Sequence, residues 1–240
     1  MHSLWPATSA LPDLDGDALA AHYAYPEHLR APYVRVNFVT SIDGAATLDR
    51  KAGGLGTDAD RRVFGMLREL ADVVLVGAGT VRAEDYRGAR KPTRGRDTPP
   101  PIAIVTGSAQ LNAGSRLFTD THVPPLVLTL NSTPANRRDE LAAAGADVVA
   151  LERLTPDLVL GELARRGLHR VLCEGGPMLH GELLAADAVD ELCLTVGPLL
   201  VGGPAQRISG SRGGAHARPM LLVGALHEDD ELLLLYRRRR

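Results

Sequence analysis

Val171-Leu172-Cys173-Glu174-Gly175-Gly176-Pro177 carries an apolar strand into a carboxylate, two glycines and a proline suited to a first helical turn. Glycines at such a turn let a phosphate approach the backbone closely, and the N–H groups and positive dipole end of the following helix attract it. The stretch therefore predicts a buried strand leading into a nucleotide-binding turn. A second stretch, Asp72-Val73-Val74-Leu75-Val76-Gly77-Ala78-Gly79-Thr80-Val81, repeats the pattern and adds a hydroxyl able to donate to a phosphate or ribose. Two such edges point to one dinucleotide.

The same pattern extends outward. Residues 34–39, 102–106, 126–130, 146–151 and 169–173 are short and rich in Val, Ile and Leu, as strands buried on both faces of a parallel sheet are. Residues 57–71 read as a helix with Thr57 as N-cap, Asp58 and Asp60 in the first turn, and Val63, Phe64, Leu67 and Leu70 along one face. Thr133-Pro134 and Thr155-Pro156 each place a capping hydroxyl before a proline at the first helical position, and Gly145 and Gly167 stand where those helices should stop. Residues 191–196 alternate instead, and residues 220–226 and 231–236 flank a polar turn as an antiparallel pair. The fold class is α/β: a mixed sheet with a mostly parallel core and antiparallel C-terminal strands, flanked by helices. Residues 1–32, with Pro6, Pro12, Pro26 and Pro32, read as a lead-in to one domain over residues 33–240, and residues 87–101 and 202–214 read as mobile loops able to border a site.

Composition narrows the function. A chain of 240 residues with a formal net charge of −2 has no electrostatic footprint for nucleic acid or an anionic membrane, so a small-molecule substrate is expected. Cys173 and Cys193 are too few and wrongly spaced for a disulfide framework or a redox pair; they read as buried structural thiols in a reducing cytoplasm. No apolar run approaches the roughly 18 residues of a membrane span, and the start lacks the features of a signal peptide. The eight histidines are scattered without ligand spacing, so no metal is expected. Residues 237–240, all arginine, read as a solvated tail.

Five ordered motifs carry a family resemblance: Asn37-Phe38-Val39-Thr40-Ser41-Ile42-Asp43-Gly44; Leu67-Arg68 before the Asp72 strand; Gly79-Thr80-Val81-Arg82-Ala83-Glu84-Asp85; Glu174-Gly175-Gly176-Pro177; and Val189-Asp190-Glu191-Leu192 with Gly197-Pro198-Leu199-Leu200-Val201-Gly202-Gly203. In order and spacing, over roughly residues 33–236, they resemble the reductase domain of riboflavin biosynthesis, which has a dihydrofolate-reductase-like fold. The resemblance implies NADPH-dependent reduction of a 5-amino-6-ribosylamino-pyrimidine 5′-phosphate to its ribitylamino product, in a homodimer. The zinc-ligand pattern of the deaminase that accompanies bifunctional relatives is absent from the sequence, which implies a reductase alone.

By the same resemblance Thr80, Glu84, Ser108, Gly176, Pro177, Leu179 and Gly181 are cofactor positions, with Val39, Val81 and Gly175 beside them, while Arg68, Arg90 and Glu174 are substrate positions. Guanidinium forks suit a sugar phosphate, and a carboxylate at a strand mouth can accept from substrate N–H or hydroxyl groups. Hydride transfer asks the protein mainly for positioning and a proton, for which Glu174 and Asp43 are the candidate carboxyls. Three positions depart from the family. Asn37, counted here on the substrate side, stands for a Lys, Glu84-Asp85-Tyr86 for Asp-Asp-Pro, and Gly54 for a Trp. Two alternatives stay open: a dihydrofolate or pteridine reductase, with Asp60 pairing with the amino-pyrimidine edge, and a nucleotide-binding module without redox activity. Taken singly, Thr80 and Ser108 could cap backbone, Asp43-Gly44 could be a turn pair, Asp60 could serve the helix dipole and Arg68 could be a solvated charge.

Overall fold

The computed structural model describes residues 1–5, 14, 16–48, 51–210 and 217–239; Pro6, Pro12, the 211–214 end of the second loop and Arg240 lie outside them. In chain order the elements are β1 (His2–Trp5), α1 (Gly16–His22), β2 (Tyr33–Ser41), α2 (Asp58–Leu70), β3 (Val73–Gly77), α3 (Ala78–Ala83), β4 (Ile102–Val105), α4 (Arg116–Thr119) and β5 (Leu126–Leu130), followed by α5 (Ala135–Ala143), β6 (Asp147–Leu151), α6 (Pro156–Arg165), β7 (Arg170–Cys173), α7 (Pro177–Ala185), β8 (Glu191–Gly197), β9 (Met220–Glu228) and β10 (Glu231–Arg238). The strands form one sheet in the order β1-β9-β10-β8-β2-β7-β3-β4-β5-β6. From β8 to β6 every pairing is parallel, and β10 pairs antiparallel with both β8 and β9. The mixed sheet expected from the sequence is the one observed.

Both faces of the parallel strands are buried. One face carries Val74, Val76, Ile102, Ile104 and Val127 against Val63 and Leu67 of α2 and Leu141 of α5. The other sets Val34, Val36, Leu75, Ala103 and Leu128 against Val159 and Leu163 of α6 and Leu183 of α7. Successive residues of a strand face opposite layers, so a run such as Val73-Val74-Leu75-Val76 is apolar throughout. Cys173 and Cys193 are unpaired and buried.

Local signals account for three of the helix ends. Thr57 caps α2, its hydroxyl accepting from the Ala59 amide at 3.2 Å, and Glu231 of β10 accepts from the Thr57 and Asp60 amides of the same turn. Gly145 and Gly167 take φ +92° and +73° just after α5 and α6. The amides of Ala146 and Leu168 there return to the carbonyls of Leu141 and Leu163, closing the carbonyls each helix end leaves open.

Two sequence expectations, the capping roles of Thr133 and Thr155, are corrected. Thr133 does not cap α5: Pro134 is its N-cap, and the Thr133 hydroxyl lies 2.8 Å from that of Thr129 and donates to the Gly107 carbonyl at 3.1 Å. Thr155 is the N-cap of α6 with Pro156 at its first position, but its hydroxyl makes no capping bond. The lead-in carries two elements: β1 extends the sheet beside β9, and Leu19 of α1 joins the core. The alternation over residues 191–196 marks the strand where pairing changes sense, for β8 runs parallel to β2 and antiparallel to β10. Its fully buried positions include polar Glu191 and Thr195.

Candidate active site

A cleft of about 1750 Å³ opens along the C-terminal ends of β2, β7, β3 and β4. That exceeds the ~300–1,000 Å³ usual for one drug-sized ligand and leaves room for two molecules side by side. The place is the expected one in an open α/β sheet, since β7 returns late in the chain to lie between β2 and β3 and parts the connections there.

Two glycine turns meet in its floor. The Gly77 amide, where β3 enters α3, donates to the Gly175 carbonyl, where β7 leads into α7, at 2.8 Å. A Cβ at Gly176 would lie 2.6 Å from the Thr80 hydroxyl oxygen, and one at Gly175, already at φ +93°, 3.1 Å from the Phe38 ring. Only glycine lets the turns approach so closely. No side chain caps the N-terminus of α7, so its first amides remain for a ligand. A bare backbone cradle ahead of a nine-residue helix fits the diphosphate of a dinucleotide.

Beside this cradle stands a charged cluster. Arg68 of α2 donates from Nε to Oε1 of Glu174 and from Nη2 to Oε2, each at 2.7 Å, and the Tyr86 hydroxyl donates to Oε2 at 2.6 Å. The Arg68 guanidinium lies 4.4 Å from the Phe64 ring centroid. The Glu174 side chain is 2 % exposed and that of Arg68 18 %, so the pair is a desolvated ion pair at the cleft wall. Burial, and then the charge of Glu174, pushes the Tyr86 hydroxyl well above the usual tyrosine range. Tyr86 thus stays protonated as a donor.

Asp60 also lines the cleft, one turn before Phe64 and two before Arg68 on α2. Burial, reinforced by the charge of Glu231, raises its carboxyl above the ordinary aspartate value, with Thr195 bonding against the shift. Asp43 is the opposite case. It is exposed, accepts from the Ser41 hydroxyl and from the Gly202 and Val201 amides, and is held down to about 2 by those bonds in that order. It lies outside the cleft lining and ties the end of β2 to the loop after β8.

The remaining positions named from sequence divide in the same way. Asn37, Val39, Thr80, Glu84, Ser108 and Gly176 line the cleft together with Pro177 and Leu179. Glu84 is partly engaged already, accepting from the Ala52 amide at 2.8 Å. Val81 and Gly181 are buried behind the lining, Gly175 shapes the turn from behind, and Arg90 is exposed outside the cleft. Among the described residues no group of three or more His, Cys, Asp or Glu side chains converges on a metal-sized site, and no helix is long and apolar enough to cross a membrane.

The RibD C-terminal domain model matches residues 32–231 of this sequence. The chain belongs to that family. The 2,5-diamino-6-ribosylamino-4(3H)-pyrimidinone 5′-phosphate reductase of Archaeoglobus fulgidus is 31% identical over 182 residues, covering 72% of this chain and 83% of that protein. The reductase of the same name from Aquifex aeolicus is 29% identical, over 73% of this chain and 80% of its own. Among solved structures, a pyrimidine reductase-like protein from Corynebacterium diphtheriae superposes with a TM-score of 0.77 at 26% identity, covering 87% of this chain and 92% of that one. The fold is dihydrofolate-reductase-like, as in these RibD reductase domains.

Within the RibD family frame, the departure at Tyr86 acquires a physical meaning. Where a proline would offer no donor, Tyr86 supplies the third hydrogen bond to Glu174. Sequence reading noted the exchange but gave Tyr86 no place in the site. Phe64, read only as a core position, forms the platform under Arg68. Arg68 and Glu174, both assigned to substrate, hold each other, so any substrate contact from them is shared with this ion pair.

Proposed function

We propose that the chain is an NADPH-dependent pyrimidine reductase of riboflavin biosynthesis, acting as a cytoplasmic homodimer on a 5-amino-6-ribosylamino-pyrimidine 5′-phosphate. The observation that carries this reading is the placement in one cleft of a glycine cradle suited to a diphosphate and the Arg68–Glu174–Tyr86 cluster suited to a polar ring and sugar. Family membership and the names of the relatives support it.

The Gly176 turn and the first amides of α7 would hold the diphosphate, with Thr80 beside them. A bound NADPH supplies a hydride. Glu174 keeps acceptor capacity beyond its three bonds and can take a substrate N–H or hydroxyl, and the side of Arg68 not engaged by Glu174 can face a sugar phosphate. Opening of the ribose during reduction also consumes a proton at the ring oxygen. Asp60, which lines the cleft and whose carboxyl burial raises above the ordinary aspartate value, is the group we assign to deliver it; Asp43 is held down to about 2 and lies outside the cleft.

Asp60 also keeps a second reading alive, because a half-buried carboxyl in the cleft could pair with a pterin edge. Titrating the protein with NADPH, then adding the ribosylamino-pyrimidine phosphate or dihydrofolate while following reduced-nicotinamide absorbance, separates the readings. Loss of absorbance with the pyrimidine alone is expected; loss with dihydrofolate alone would move the chain to the pteridine reaction, and binding without turnover to a non-redox module.

A further inference from the structure

Glu231, the first residue of β10, is fully buried, yet among the described residues no guanidinium or ammonium group lies within ion-pair distance of it. Its neighbour across the hairpin, Glu228, is paired with Arg62. Glu231 reaches instead into the first turn of α2. Its Oε1 accepts from the Thr57 amide at 2.6 Å, and its Oε2 accepts from the Thr57 hydroxyl at 2.6 Å and the Asp60 amide at 3.1 Å. Amides can only donate, so the group is held as an acceptor, at the end of a 13-residue helix where the dipole favours negative charge.

The same turn carries Asp60 into the cleft. A Cβ at Gly56 would stand 2.6 Å from Asp60 Oδ2 and 2.8 Å from its Cβ and Cγ, so the bare glycine makes the space in which the side chain is seated. Both residues line the cleft, whereas Glu231 does not. Glu231 shares a sheet face with Leu233 two residues on, and Leu233 stands opposite Thr195 of β8, whose side chain hydrogen-bonds Asp60. The groups that face Asp60 are thus Glu231 of β10, Thr195 of β8, Arg61 on its own helix and the Tyr23 phenol just after α1. Arg61 is turned to solvent and paired with Asp58, and burial keeps Tyr23 protonated. Two strand residues are left to act on the Asp60 proton in opposite senses: the Glu231 charge opposes its loss, and Thr195, donating to the carboxylate, favours it.

Resting on the assignment of Asp60 as proton donor made above, we infer that Glu231 is a positioning residue for the reduction: from β10 it locks the turn that seats the Asp60 carboxyl in the cleft, and its buried charge keeps the proton there until the substrate takes it. Glu231 acts only through Asp60.

The test reads the two carboxyls directly, by carbon-13 NMR of the full chain labelled at the aspartate and glutamate carboxyl carbons. The Asp60 and Glu231 signals are identified by their loss in Asp60→Asn and Glu231→Asp. Glu231→Gln should lower the Asp60 titration midpoint by about one pH unit, because a like charge beside it is removed. Thr195→Val should raise that midpoint, and Glu231→Asp, which keeps the charge, should retain most of the parent value. In turnover the basic limb of the kcat profile should move with the midpoint, which a loss of packing alone would not do. Coupling between two carboxyls is reciprocal, so Asp60→Asn should lower the Glu231 midpoint by the same amount, and this reads the pair even where Glu231→Gln does not fold. An unmoved Asp60 midpoint in folded Glu231→Gln, an unmoved Glu231 midpoint in Asp60→Asn, or a shifted midpoint with an unmoved kcat profile would overturn the inference and leave the reductase reading standing. A parent that reduces no ribosylamino-pyrimidine phosphate would overturn that reading, while the carboxyl midpoints still report whether Glu231 governs Asp60.

Discussion

Glu174 has its two oxygens committed to three donors, two from Arg68 of α2 and one from Tyr86 in the loop after α3, and this changes what a substitution there would do. Glu174→Gln keeps the shape but leaves Arg68 without its counter-charge and places an amide N–H₂ against a donor. Reduction should fall by more than about tenfold and stability by about 1–3 kcal/mol, while dinucleotide affinity stays close to that of the parent. Kinetics, calorimetry and urea melts on the same preparation check the three parts. Asp60 gives a prediction with a definite sign. Its folded-state value is raised above the unfolded one, so the stability it contributes is fully present below the ordinary aspartate range and is lost as pH rises through the raised value. Asp60→Asn should therefore melt no lower than the parent at pH 7 and lose its advantage near pH 4. If Asp60 delivers the proton, the same variant slows reduction by about 10²-fold and flattens the pH profile on its basic side. An unchanged profile would return Asp60 to a structural role.

At the scale of elements, the joint between the parallel and antiparallel parts of the sheet is held by charge. Arg35 of β2 donates to Glu191 of β8 at 2.9 and 2.6 Å, Arg237 of β10 donates to the other Glu191 oxygen, and the Arg35 guanidinium stacks 4.0 Å from the Tyr25 ring. The Arg35 and Glu191 side chains are both 0% exposed. Removing one member leaves the other buried and unpaired, so Glu191→Leu should cost about 3–5 kcal/mol in urea denaturation. A cost below about 1 kcal/mol would show that packing alone sustains the joint. The sequence of β8 showed an alternating strand but not which polar positions it would bury, because the burial of Glu191 depends on arginines far from it in the chain. Signals contained within one turn were legible, as Thr57, Gly145 and Gly167 show. Thr133 misled because its hydroxyl found partners in Thr129 and Gly107, contacts that no local pattern announces. In the site, the glycine turns could be read from sequence, whereas the pairing of Arg68 with Glu174 and the donor role of Tyr86 required the fold that brings α2 and β7 together.

On the scale of the whole molecule, the sheet presents its parallel strand ends to a cleft and extends in the other direction through β8, β10, β9 and β1. Leu221 and Leu222 of β9, with Leu4 and Trp5 of β1, remain exposed on that antiparallel side. The proposed homodimer accordingly predicts a mass twice that of the chain by light scattering at micromolar concentration, and a monomeric mass would remove that part of the account. The central claim is that this cleft moves a hydride from a nicotinamide to the sugar carbon of a ribosylamino-pyrimidine phosphate. Mass spectrometry of the product formed with NADPH deuterated at both C4 positions tests it most directly. The account predicts a ribitylamino product carrying a single deuterium at the former C1′; no conversion, or a product without deuterium, would contradict it.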